Sequence, residues 1–335
     1  MERPLSDTNK RTPKYLSPSA LACWETNPDE AFTRYIVPKS MRPEKAPQTG
    51  PMSVGSAFDA LVKAELSEQF FGREQTKATG YRRRDLIVKQ CEQHTLPESL
   101  VVACDVFDQY LRCGAYGNLV NLISGSAVDC RMEFDVTKRV GGVPMLGKPD
   151  LHFHSPTGAH VITDWKVSGS VSKHGVSPQQ GYMIALDCQE TATHGKAHKK
   201  FVPSEVGGIV VNGVPMNETT DYWADQLSTY AWCLGEQVGD EDFIARIEQM
   251  ACRTTKQGEL RVKSVVHQSF VDGNYQQDLL RRYQRCWHGV ETGHYFQDCT
   301  RAQSDARADL IMRQLQQPVD PSKLTIGDVP TIDWS

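Results

Sequence analysis

The stretch that decides the fold is "GKPDLHFHSPTGAHVITDWKV", residues 147–167. Two β-like runs flank a polar turn that contains proline and glycine, which is typical of a hairpin. Asp164 and Lys166 are two residues apart, so on a strand their side chains point to the same face. Asp150 precedes Asp164 by about the length of a strand, a turn and a returning strand. The hairpin therefore predicts that Asp150 lies beside Asp164.

These three charged residues permit two interpretations. Two converging carboxylates repel each other unless a cation lies between them, and hard oxygen ligands suit Mg²⁺ or Mn²⁺ better than Zn²⁺. A lysine beside such a metal can orient a water and offset negative charge that develops on a phosphate. The alternative is an ordinary cross-strand pair of aspartate and lysine on a sheet surface.

Composition limits the class of protein. The chain has 335 residues, 39% hydrophobic and 23% charged, and a formal net charge of −4. These values indicate a globular protein that is not basic overall, so any nucleic-acid surface must be local. We expect no secretory signal and no membrane span, because the N-terminus has no apolar region and no apolar run is long enough to span a bilayer. We expect no disulfides, because the ten cysteines are scattered and form no CxxC. The expected location is the cytoplasm.

The order of periodic segments predicts a single domain over 17–335 after a loose segment over 1–16. Residues 17–125 are expected to be mainly helical, 126–240 to form a β-rich core, and 241–335 to add strands and helices. Ser17-Pro18 predicts a helix start, Gly141-Gly142 predicts a hairpin, and 168–206 is expected to be a long loop with a short helix near 179–186. The predicted fold class is α/β (α+β), a central mixed sheet flanked by helices.

Four segments, in this order, resemble the PD-(D/E)xK nuclease superfamily, in particular its RecB-like and phage-type exonuclease branch. They are "LSPSALACWETNPDEAFTRY" (16–35), "VGSAFDAL" (54–61), "GKPD…ITDWK" (147–166) and "QLSTY" (226–230). The resemblance covers about 16–236 and implies a restriction-endonuclease-like sheet. It implies a Mg²⁺- or Mn²⁺-dependent deoxyribonuclease, here an exonuclease that processes DNA ends in a bacterial or phage-infected cell.

The resemblance also implies roles for single residues. Those that would hold one or two metal ions are Asp59, Asp150, Asp164 and Val167, with Glu133 as an assisting acid and Asp135 as the other choice. Lys166 would position the attacking water, and Gln226 and Tyr230 would orient Lys166 or the scissile strand.

Each of these residues also has an ordinary structural interpretation. The branch usually has histidine where this chain has Asp59, so Asp59 is either an altered ligand or a solvated helix position. Glu133 is otherwise a surface glutamate. Tyr230 is otherwise a core side chain.

Partners and further cofactors follow from the same comparison. The expected partner is DNA, with a single-strand annealing protein or another recombination factor, and homo-oligomers are compatible with the family. Basic clusters at 82–84 and 196–200 are candidates for phosphate contact.

No iron–sulfur cluster is expected, because Cys23, Cys286 and Cys299 lack the short spacing of a cluster motif. No zinc site is expected, because the ten histidines show no HExxH. Two other functions remain open, a structure-specific or nicking endonuclease and a catalytically weak binding adaptor.

Overall fold

Helices occupy both ends of the described chain. The computed structural model describes residues 13–43, 48–71, 85, 95–125, 130–168, 183–193, 196–203, 207–211, 214–216, 221–254, 257 and 260–316. The helices are α1 (Pro18–Thr26), α2 (Pro28–Ala31), α3 (Gly50–Phe71), α4 (Pro97–Arg112), α5 (Ala115–Ser124), α6 (Asp221–Leu234), α7 (Gly273–Thr292) and α8 (Arg301–Gln316). A π-helical turn over Phe32–Ile36 and a 3-10 turn over Lys39–Met41 follow α2. Helix α1 begins at Pro18, as the Ser17-Pro18 pair predicts.

Eleven strands are found in the described residues. They are β1 (Arg131–Met132), β2 (Val136–Val140), β3 (Val143–Gly147), β4 (Leu151–His154), β5 (His160–Ser168), β6 (Met183–Thr193), β7 (Lys196–Pro203), β8 (Gly207–Val211), β9 (Val214–Met216), β10 (Phe243–Thr254) and β11 (Leu260–Val271). Seven form one sheet in the order β1-β4-β5-β10-β11-β8-β9. Strands β5 and β10 pair in parallel and the other neighbours pair antiparallel. The predicted α/β class with a mixed sheet and flanking helices is confirmed.

Two hairpins predicted from turn residues are confirmed. Gly141 and Gly142 both have positive φ, +54° and +87°, and join β2 to β3. Glycine has no side-chain clash in this left-handed region, which the tight turn requires. Strands β4 and β5 pair with Leu151 opposite Thr163 and His154 opposite His160. The chain from Asp150 to Lys166 is therefore the predicted hairpin.

Alternation along β5 places different residues on the two faces of the sheet. Val161 and Trp165 belong to an apolar cluster with Phe58 of α3 and Tyr110 of α4. Ile162 belongs to a second cluster built mainly with α6. Because Asp164 and Lys166 share the parity of Ile162, they face α6. Burial of each large apolar side chain contributes about 1.5–3 kcal/mol, so the two clusters hold β5 firmly between helices.

The chain divides into two compact units, one with residues 15–18 and 46–284 and the other with the described parts of 1–14, 19–45 and 285–335. The first contains the seven-stranded sheet. In the second, Phe32 packs on Phe296 with ring centroids 5.6 Å apart, and Arg307 Nε donates to Asp29 Oδ1 at 2.7 Å. The single domain expected over 17–335 stays a prediction.

The long loop expected over 168–206 is wrong for the described part of that range. Residues 183–193 form β6 and 196–203 form β7, and the two pair as an antiparallel ribbon. The short helix expected near 179–186 does not form over 183–186. A ribbon held by its own backbone hydrogen bonds needs no apolar face, so its sequence lacks the period that reveals most strands.

In the described residues, no helix is both long and apolar enough to cross a membrane.

Candidate active site

Strand β5 and helix α6 bring together four of the predicted residues. Lys166 forms an ion pair with Asp164 and donates from Nζ to Gln226 Oε1 at 2.9 Å. Gln226 Nε2 donates to the Tyr230 hydroxyl at 2.7 Å. Gln226 and Tyr230 are four residues apart on α6, so they lie on the same helical face. The lysine ammonium is therefore held between an acid from its own strand and an amide from the helix above it.

The hairpin places Asp150 next to this group. Asp150 lies immediately before β4, and its Oδ2 accepts a hydrogen bond from the Trp165 backbone N–H at 3.2 Å. The Asp150 carboxylate raises the pKa of Asp164, although less strongly than burial does. This electrostatic coupling between the two acids agrees with the convergence that the spacing in the sequence predicts.

Lys63 lies at the centre of a second group of acids. Its Nζ contacts Asp59 Oδ2 at 2.5 Å, Glu133 Oε1 at 2.7 Å and Asp150 Oδ1 at 3.2 Å. Only 5% of the Lys63 side chain is exposed. Asp59, Glu133 and Asp150 also form a carboxylate set, in which one oxygen atom from each residue lies within 4.8 Å of the other two. An ammonium group thus lies among the three acids that could hold a metal ion.

Glu133 reaches this group through an unusual backbone conformation. It follows β1 and has a φ of +50°, a left-handed value that costs energy in a residue other than glycine. Its N–H donates to the Asp150 carbonyl at 3.2 Å, and its Oε2 contacts Lys148 Nζ at 2.6 Å. Glu133 is exposed, with 46% of its side chain accessible, so it is a surface glutamate that also contacts the site lysines. Asp135, the other choice from the sequence, is exposed as well.

Burial and neighbouring charges shift the pKa values of three of the site acids. Burial and the nearby Asp150 raise the pKa of Asp59 to about 7, against the opposing attraction of Lys63. Burial likewise raises the pKa of Asp164 to about 7, against the opposing attraction of Lys166. Burial would raise the pKa of Glu133, but the ammonium groups of Lys63 and Lys148 lower it to about 2. Asp164, which is buried, and Asp59, which is partly exposed, are therefore both ready to exchange protons near neutral pH.

Two carboxylate oxygen atoms without hydrogen-bond partners indicate whether the site suits a cation. Asp59 Oδ1 and Asp164 Oδ1 are buried, and neither has a hydrogen-bond partner within the part of the chain that the structure describes. Buried carboxylate oxygens normally have partners, and a divalent cation is one way to satisfy them. With all groups ionised, four carboxylates face three ammonium groups, so negative charge remains in excess. The donor set therefore fits Mg²⁺ or Mn²⁺.

Val167 and Tyr230 complete the comparison with the sequence. Val167 packs with the cluster of α3 and α4, so any ligand atom it offers is its backbone carbonyl. Tyr230 is both buried in the second cluster and bonded to Gln226, so the two interpretations of Tyr230 are compatible. Sequence reasoning missed Lys63 and Lys148. The four-residue spacing from Asp59 to Lys63 on a helix was the available signal for the first.

The basic cluster at 82–84 lies outside the described residues. For 196–200 the structure describes the backbone of β7 and not the side chains.

Comparisons with known proteins find only distant likeness. No family model matches the chain, and no curated protein matches it. A solved structure from Eubacterium rectale, named a "putative exonuclease", is 14% identical with a TM-score of 0.39, over 94% of each chain. A second solved structure, whose name states no activity, is 11% identical with a TM-score of 0.27, over 81% of this chain and 85% of that one. Likeness at this level carries no argument about function.

Proposed function

We propose that this chain is a Mg²⁺- or Mn²⁺-dependent deoxyribonuclease that acts as an exonuclease on duplex DNA ends. The observation that carries the proposal is the joining of Asp150, Asp164, Lys166 and Gln226 in one connected group. The order of the motifs that contribute these residues resembles the PD-(D/E)xK superfamily. DNA processing alongside a single-strand annealing protein or another recombination factor belongs to the same proposal.

The acids of the site are the proposed metal ligands. Asp150 and Asp164, with Asp59 and the Val167 carbonyl, would hold one or two ions, and Glu133 would assist. When bound, Mg²⁺ or Mn²⁺ supplies Lewis-acid polarisation of a phosphate oxygen and makes a coordinated water more acidic. The excess of carboxylates over ammonium groups and the orphaned oxygens of Asp59 and Asp164 support this assignment.

Lys166 is the proposed positioning and charge-stabilising group. Asp164 and the Gln226 amide fix its ammonium, and the Tyr230 hydroxyl fixes that amide in turn. Burial would lower the pKa of Lys166, but Asp164 and Asp150 raise it overall, so the side chain stays protonated. A permanently charged ammonium can orient a water and offset the extra negative charge on a phosphate under attack.

The test is cleavage of end-labelled linear duplex beside covalently closed circular DNA, with Mg²⁺, Mn²⁺ or EDTA. We expect metal-dependent loss of the linear substrate alone, and a fall of at least roughly 100-fold in Asp164→Asn and Lys166→Met. Asp108→Asn, an exposed acid on α4 whose side chain is 59% exposed, is the matched control and should keep full activity. Equal cleavage of closed circles would replace the exonuclease with an endonuclease of the same site.

A second candidate is a nuclease-like binding module without catalysis. The observation that favours it is Lys63, because an internal ammonium already neutralises the acids that would hold a metal. Duplex binding in EDTA, with no cleavage in either metal, would select this candidate and refute the nuclease.

A further inference from the structure

Three histidines share one face of the hairpin formed by β4 and β5. His152 and His154 are two residues apart on β4, and His160 is directly opposite His154 on β5. The ring centroids of the three imidazoles lie 4.5–5.1 Å apart. One ring nitrogen from each residue lies within 4.8 Å of the other two. An HxH pair on a strand thus produces a convergence that helical HxxxH spacing would not reveal.

The separations of the nitrogen atoms match those of a metal site. With zinc–nitrogen bonds of about 2.0–2.1 Å, tetrahedral ligands lie roughly 3.3 Å from one another. His152 Nε2 and His160 Nδ1 are 2.9 Å apart, at the lower side of this value, and the 4.8 Å limit of the group is above it. Small rotations of two half-buried rings would equalise the separations, because His154 and His160 are not enclosed.

The surroundings of two of the rings suit a metal ligand. His152 is only 2% exposed, and its ring contacts Phe134 at a centroid distance of 5.6 Å. Burial and then His154 lower the pKa of His160, while Glu236 and Asp242 oppose this shift. The two acids add negative potential beside a cation bound there.

We propose that His152, His154 and His160 form a binding site for an imidazole-preferring transition-metal ion such as Zn²⁺, separate from the carboxylate site. His160 and Asp164 are four residues apart on one strand, which corresponds to about 13 Å. Three imidazoles select Zn²⁺ or its neighbours in the first row, whereas the carboxylates select Mg²⁺ or Mn²⁺. The ion would cross-link β4 to β5 beside their turn, in the hairpin that carries Asp150 and Asp164. This inference does not rest on the proposed nuclease activity.

The experiment loads the metal-free full chain with Zn²⁺ in competition with a chromophoric chelator, and with Co²⁺ for visible spectroscopy. We expect one tight Zn²⁺ per chain and a rise in the melting temperature of roughly 5 °C. Co²⁺ should give the strong visible absorption of a four-coordinate site with three imidazole ligands and a water. His154→Gln and His160→Gln should each weaken Zn²⁺ binding at least roughly 10-fold and abolish that absorption.

Two controls make the result specific. His288→Gln changes an exposed histidine of α7 and should leave Zn²⁺ binding unaltered. Asp150→Asn alters the carboxylate site and should leave the Co²⁺ spectrum unaltered. The proposal is overturned if the histidine variants, with an unchanged circular dichroism spectrum, bind Zn²⁺ as tightly as the wild type. It is also overturned if Asp150→Asn removes the Co²⁺ signal, because the ion then lies among the carboxylates.

Discussion

Replacing Lys63 by methionine removes the internal cation and retains most of the side-chain volume. At an effective dielectric constant of about 20, an ion pair at 2.5–3.2 Å is worth about 5–7 kcal/mol of Coulomb attraction. The cost of burying the ammonium offsets much of this, and the pair with Glu133 is screened because 46% of that side chain is exposed. Removal of one partner of a buried ion pair typically costs about 3–5 kcal/mol. We expect Lys63→Met to lower the free energy of unfolding by about that amount.

The assay is urea unfolding at pH 8 in EDTA and then in Mn²⁺, beside Mn²⁺ titration by calorimetry. A pH above 7 is needed because burial raises the pKa of Asp59 to about 7, and its protonation would relieve the repulsion. Mn²⁺ should restore most of the lost stability, and it should bind roughly 10-fold or more tightly than to the wild type, since no ammonium competes for the carboxylates.

The matched control is Lys148→Met, because 52% of the Lys148 side chain is exposed and it contacts Glu133 alone among the site acids. Its cost should stay below about 1 kcal/mol. If Lys63→Met in EDTA is as stable as Lys148→Met, or if it binds Mn²⁺ more weakly than the wild type, the idea that Lys63 occupies the cation position is wrong.

Four further predictions test other parts of the site. Raising the pH from 6 to 8 should tighten Mn²⁺ binding roughly 10- to 100-fold by calorimetry, because the pKa values of Asp59 and Asp164 are about 7 and the metal requires both deprotonated. The same raised pKa values make the metal-free protein lose stability as the pH rises from about 4 to 7, which urea unfolding would detect. Gln226→Leu should lower kcat by a larger factor than it changes KM in the cleavage assay, because it frees the Lys166 ammonium without removing it. An unchanged kcat would exclude a positioning role for Gln226. Gly147→Ala should destabilise the fold by about 1–3 kcal/mol and lower activity, because the added Cβ would lie 2.9 Å from Tyr230 Cδ1; equal stability in urea would contradict that packing.

The hairpin at the centre of the fold could be predicted because its signals are local. Strand alternation and the turn between β4 and β5 fix which residues share a face, so the proximity of Asp164 to Lys166 follows from the sequence. The contact between Lys166 and Gln226 joins residues 60 positions apart, so no local pattern predicts it. It was expected only because the order of the motifs resembles that of the nuclease superfamily. The paired strands β6 and β7 could not be predicted, since neither sequence alternates between apolar and polar residues along its length.

The histidine group and Lys63 escaped for different reasons. His152, His154 and His160 converge only through the register of β4 and β5, whereas HxxxH and HExxH describe ligands on one face of a helix. Lys63 shares a helical face with Asp59, but two of its three acids, Glu133 and Asp150, come from distant segments. The spacing of residues within a helix can be predicted from the sequence. Which strand end packs against that helix cannot.

Asp59 and Lys63 are best understood as one unit. Asp59 places a second carboxylate beside Asp150, whose negative charge raises the pKa of Asp59. One turn later, Lys63 contributes the compensating positive charge, and its Nζ contacts Asp59 and Asp150 together. Because a buried carboxylate without a partner would protonate, the lysine keeps the acids of the metal-free site partly ionised. A divalent ion that enters must displace this ammonium, so the pair determines how much free metal is needed before the site fills.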